Sequence, residues 1–150
     1  MGGMVGYILT WTTYGTWLPG DKRGYVQDGT IWEKDKALED SNRKLRKTEA
    51  VRLTNTQKRI VENTIIEEAK RIKQEILAIR VFSNHVHIVV GSTNESIENT
   101  VSLYKNKSTS ALKKTGMINR IWTRGFNKRF CFNNEELNTR IGYVNRHERD

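Results

Sequence analysis

Phe82-Ser83-Asn84-His85-Val86-His87-Ile88-Val89-Val90-Gly91 is the stretch on which the reading of this chain turns. Val86, Ile88 and Val90 alternate with His85, His87 and Val89. A strand sends successive side chains to opposite faces, so the apolar set can enter a core while both histidines leave from the other side. Two residues of strand rise separate the histidines by about 7 Å. From that spacing two imidazoles can converge on one ion. The plainer reading is a half-buried strand with two polar residues in solvent, and the rest of the chain has to decide between them.

Working outward, Leu77–Phe82 reads as a strand, and the tight Ser83-Asn84 turn lets it pair with the histidine strand as an antiparallel hairpin. Upstream, Asn55 or Thr56 can cap a helix to about Ile76, with Val61, Ile65, Ala69, Ile72 and Ile76 on one stripe. Val5 to Tyr14, rich in β-branched and aromatic residues, is a first strand. The glycines and single proline of Gly15–Gly24 end it. The polar stretch beyond holds a short helix at Lys34–Arg46. Downstream, Thr93 or Asn94 opens a helix that buries Ile97, Val101, Tyr104 and Leu112 and stops at Gly116. Ile121–Phe132 is a fourth strand or bent hairpin broken by Gly125. Asn133 or Asn134, with Glu135 and Glu136 behind it, starts a last helix striped by Leu137, Ile141 and Val144. The order predicts an α+β, ferredoxin-like βαββαβ fold: an antiparallel sheet with helices on one face, the other face free to hold a site, and a C-terminal helix carrying Tyr143.

At 150 residues this reads as one domain, 1–150. The net charge of +9 favours a polyanionic partner. No apolar run reaches the length of a spanning helix, so a membrane role is not expected, nor is a signal peptide. A single cysteine, Cys131, excludes an internal disulfide and a multi-cysteine metal cluster, and fits a reducing, cytoplasmic setting.

The chain has three histidines, and the third, His147, stands four residues after Tyr143. Residues i and i+4 share a helical face, here one beside the Leu137/Ile141/Val144 stripe. Packed on the open side of the sheet, that helix could bring His147 to the ion as a third ligand, with Tyr143 within reach. The alternative is that Tyr143 only packs and His147 meets the helix dipole at a frayed end. A tyrosine beside a divalent ion has a clear use. A phenol has a pKa of about 10 and is a poor nucleophile at neutral pH. An ion on a phosphodiester oxygen makes phosphorus more electrophilic, and attack by the phenol conserves the bond energy as phosphotyrosine.

These motifs resemble the HUH single-tyrosine transposases, the IS200-like group that includes the REP-associated tyrosine transposases. Asn84-His85-Val86-His87-Ile88-Val89-Val90 matches the histidine strand of that family. Tyr14-Gly15-Thr16-Trp17-Leu18-Pro19-Gly20-Asp21-x-x-Gly24 and Trp122-Thr123-Arg124-Gly125, then Tyr143-Val144, look like signatures of one subgroup. Leu103–Ser108 resembles another of the family's helices. The resemblance implies that His85 and His87 hold Mg²⁺ or Mn²⁺ and that Tyr143 cuts single-stranded DNA, leaving a 5′-phosphotyrosine and a free 3′-hydroxyl. It implies a hairpin-containing target, and a homodimer in some relatives. Where the family often has Gln or Asn as third ligand, this chain has His147. Tyr104 is the rival nucleophile, expected on the opposite side of the sheet.

Lys105, Lys107, Lys113, Lys114, Arg124, Lys128 and Arg129 are candidate phosphate contacts, interleaved with Trp122, Phe126 and Phe130 as stacking partners. Trp11, Trp17 and Arg23 are a further candidate edge. Two other functions fit the same topology. One is an RNA- or single-stranded-DNA-binding module that stacks bases on Trp11 and Phe82. The other is a metal nuclease that uses water, with Tyr143 structural.

Overall fold

The computed structural model describes residues 3–16 and 50–146. The helix expected at 34–46 and the positions of Trp17, Arg23 and His147 lie outside the described residues. The elements are β1 (Gly6–Thr12), α1 (Asn55–Arg71), β2 (Ile76–Val81), β3 (His85–Val90), α2 (Ile97–Lys113), β4 (Asn127–Cys131) and α3 (Asn134–Arg146). The sheet runs β2-β3-β1-β4 with every neighbour antiparallel. This is the ferredoxin-like order expected from the sequence.

Strand alternation sorts the side chains onto two faces. Tyr7, Leu9, Trp11, Val86, Ile88 and Val90 form a core with Val61, Ile65 and Ala69 of α1 and Val101, Tyr104 and Leu112 of α2. The opposite face carries a smaller apolar cluster, in which Ile8, Ala78 and Val89 meet Val144, Leu137 and Ile141 of α3. The predicted stripe of the last helix is thus the stripe that docks. Gly6 permits the docking: a Cβ there would lie 2.7 Å from the Val90 carbonyl oxygen and 2.8 Å from Leu137 Cδ1.

Element ends differ from the sequence reading for local reasons. Thr54 caps α1, because Thr54 and Gln57 satisfy each other's backbone N–H groups at 3.2 and 2.9 Å. The helix stops at Arg71 rather than near Ile76. Lys73 turns left-handed (φ 57°), and Gln74 goes inward to donate to the Tyr7 hydroxyl and the Gly91 carbonyl, each at 2.8 Å. Ser96, not Thr93 or Asn94, caps α2, accepting from the Asn99 amide at 3.1 Å. The fourth strand is Asn127–Cys131 only. Ile121 and Trp122 leave the ladder for the core, and Trp122 keeps one isolated bridge to Thr13. No helix among the described residues is long and apolar enough to cross a membrane.

Candidate functional site

Beneath α3 the sheet presents His85 and His87 on one face, with ring centroids 4.7 Å apart and planes at 77°. Each ring is oriented through Nδ1. The His87 Nδ1 lies 2.8 Å from Thr10 Oγ1, and Thr10 is its register partner on β1. The His85 Nδ1 lies 2.6 Å from the side-chain oxygen of Asn84, an acceptor, so in the neutral ring Nδ1 carries the proton and Nε2 the lone pair. Phe82 is 2% exposed and stacks on His85 at 4.3 Å, fixing that ring from below. Neutral imidazoles steered by hydrogen bonds at the far nitrogen are the usual form of metal-ligating histidines. The donor chemistry therefore fits a divalent ion. Among the described residues no third His, Cys, Asp or Glu joins the pair.

Tyr143 comes to the same place from α3. Its ring lies 6.0 Å from that of His87, at 70°, and the side chain is 40% exposed. Together with Ile8, Thr10, His87, Arg129 and Arg140 it lines a cavity of about 420 Å³. Arg140 stands one helical turn before Tyr143. Arg129 pairs with Ile8 across β1–β4 and so belongs to this face. Arg80, the register partner of His87 on β2, donates to the Asn145 carbonyl at 3.1 Å and ties the end of α3 to the sheet.

The other candidates scatter. Tyr104 is wholly buried among α1, α2 and the sheet, donates to Gln74 Oε1, and burial pushes its pKa up. Lys105 is turned inward: its ammonium donates to the carbonyls of Thr123 at 2.8 Å and Gly125 at 2.6 Å. Burial, and after it the charge of Arg120, pull its pKa down to about 8. Lys107 is exposed on α2, on the face away from the histidines. Arg124 is exposed in the turn before β4. Lys128 lines the histidine cavity but sends its ammonium to Glu98 at 3.4 Å. Trp122 does not stack on the surface; it is 5% exposed, and its indole donates to Ser108 Oγ at 3.1 Å. Trp11 and Phe82 are each 2% exposed, so neither offers the sheet platform that a base-stacking module needs.

Sequence reasoning passed over Thr10, Arg80 and Arg140, and took Asn84 only as a turn and motif residue. Asn84 stood in plain view beside His85, and Thr10 becomes visible once β1 and β3 are put in register.

The sequence profile described as "Transposase IS200 like" matches residues 44–147. The chain belongs to that family. In structure it is similar to the REP-associated tyrosine transposase bound to a REP hairpin, at 14% identity, with 96% of this chain and 67% of that one covered and a TM-score of 0.58. It is also similar to a candidate transposase from Deinococcus radiodurans R1, again at 14% identity, with 97% and 92% covered and a TM-score of 0.50. At such identities the likeness is one of fold. No curated protein sequence matches the chain.

Proposed function

We propose that this chain is a metal-dependent transposase that nicks single-stranded DNA and rejoins it through Tyr143. The observation that carries the reading is the meeting, within one chain, of His87 and Tyr143 in a cavity flanked by Arg129 and Arg140, with His85 ring to ring against His87. His85 and His87 would hold Mg²⁺ or Mn²⁺, and His147 is the candidate for a third position. The bound ion supplies Lewis-acid polarisation of a phosphate oxygen. Two nitrogen ligands favour Mn²⁺ over Mg²⁺, which prefers an all-oxygen shell.

Arg129 and Arg140 grip the non-bridging oxygens of the scissile phosphate. The Tyr143 hydroxyl loses its proton to solvent and its oxygen attacks phosphorus. The P–O3′ bond breaks, and the departing 3′ oxygen takes a proton. The products are a 5′-phosphotyrosine and a 3′-hydroxyl. Attack by a 3′-hydroxyl on that link reverses the step and joins strands. Arg80, by holding the Asn145 carbonyl, keeps the phenol beside His87. The structural neighbour bound to a REP hairpin supports a hairpin-containing DNA as the substrate class.

The test is a denaturing gel of the protein mixed with single-stranded hairpin DNA and Mn²⁺. A slow band that disappears with chelator is expected. Free cleaved DNA with no protein attached would instead establish a hydrolytic nuclease.

A further inference from the structure

Phe130 and Phe132 stand at the edge of the sheet with their rings in solvent, at 36% and 55% exposure. β4 is an outer strand. Neither α1 nor α2 packs on it; α3 does, from the opposite face. Phe130 faces the α1/α2 side because its register partner is Tyr7, a core residue. The Phe132 ring follows at 6.1 Å. Val5, itself exposed, sends its amide to the Cys131 carbonyl beside them. Single exposed apolar residues are ordinary, but a contiguous aromatic patch on an open strand edge is a liability that proteins remove unless they use it.

The patch is braced from behind. Tyr7 packs edge-to-face with Phe130 at 6.4 Å, and the Phe132 amide donates to the Glu136 carboxylate at 3.4 Å, tying down the strand end. Lys128 gives the patch its chemistry. Its ammonium, anchored by Glu98 at 3.4 Å, lies 5.8 Å over the Phe130 ring. Lys128 also lines the cavity that holds His87, Arg129 and Tyr143, so that cavity opens across β4 toward the rings. From Arg129 to Phe132 is about 10 Å along the strand. A polynucleotide gripped at Arg129 therefore carries its next unpaired bases past the two rings. Exposed rings with a cation beside them suit the face of a base. A second copy of the chain is the rival occupant, but two chains of net charge +9 repel each other.

We propose that Phe130 and Phe132 stack an unpaired base of the DNA strand where it leaves the cavity beneath α3. The inference rests on DNA being the substrate, as proposed above. It gives the flank of the cut bond a fixed path over β4, with the phosphate at Arg129 on one face of the strand and the base at the two rings on the other.

The experiment uses the full chain in chelator, so that no strand is cut, and a fluorescent adenine analogue that dims when it stacks. The analogue is placed in turn along the unpaired arms of a hairpin oligonucleotide. The wild type is expected to quench it at adjacent positions in one arm. Phe130→Leu with Phe132→Leu keeps the apolar bulk and removes the rings. That pair should abolish the quenching and weaken binding about 10-fold, and Phe132→Trp should retain both. Removing the base at the quenched position should cost the wild type a similar factor and the leucine pair nothing further, because ring and base form one interaction. Additive losses, quenching that survives in the leucine pair, or no quenched position in the wild type overturn the proposal. A DNA-free dimer in sedimentation that Phe132→Ser dissolves would assign the face to a second copy and overturn it as well. Covalent capture with Mn²⁺ is scored on the wild type in parallel. Its absence would sink the tyrosine reaction while leaving the quenching to decide the stacking.

Discussion

Tyr104 and Tyr143 are two phenols on two helices packed against the same sheet, one on each face. Tyr104 has no exposed surface, a hydrogen bond to Gln74 and a raised pKa. Tyr143 is 40% exposed and has its ring 6.0 Å from that of His87. One residue type therefore serves as core on the dry face and as a reactive candidate on the wet one. Environment, not identity, separates the roles: desolvation disfavours the phenolate and shuts out a substrate, whereas an open cleft with two arginines admits a phosphate.

The largest expected effect breaks the pair apart chemically. Tyr143→Phe should lower covalent capture of DNA by more than about 10³-fold. Tyr104→Phe should leave capture in place and cost about 1–2 kcal/mol of stability, because Gln74 loses a buried partner. Capture on gels and urea melts of both variants give the comparison. Next come the histidines. His85→Ala with His87→Ala should abolish metal-dependent cutting while the fold persists. Thr10→Val should raise the Mn²⁺ concentration needed for half-maximal cutting about 10-fold, since it removes only the group that orients His87. If Thr10→Val matched the wild type in a metal titration, the orienting role would be wrong.

Docking of the wet face's helix is probed by Gly6→Ala. The new methyl meets the Val90 carbonyl, and overpacking of this kind costs about 1–3 kcal/mol. Urea melts should show the loss, and cutting should fall with it as α3 lifts. The smallest effect belongs to the dry side. The Lys105 pKa is lowered to about 8 from 10.5 in the folded chain, so above pH 8 the unfolded chain holds the proton longer. Its contribution to stability should therefore rise with pH through that window. Comparing the pH dependence of wild-type and Lys105→Gln urea midpoints isolates it.

Much of the fold was written in periodicities. The alternation of His85–Val90 set one strand's faces, and Leu137, Ile141 and Val144 marked the surface by which α3 docks. Both signals survive because burial enforces them over several residues. The histidine pair and Tyr143 were legible as residue types, and their proximity followed from topology. The orienting contacts were less so. Thr10 is an ordinary strand threonine until its register with His87 is known. Lys105 was illegible for a physical reason: a lysine in sequence does not reveal whether its amine meets solvent or, as here, two backbone carbonyls. Trp122 looked like a base-stacking ring but is drawn into the core, where it finds both apolar contact and a partner for its N–H.

The most direct measurement is peptide mass spectrometry of the protein after reaction with single-stranded hairpin DNA and Mn²⁺, followed by nuclease trimming. The account predicts a nucleotide phosphate on the peptide carrying Tyr143 and on no other. The same mass on the Tyr104 peptide, or cut DNA with every tyrosine unmodified, would contradict it.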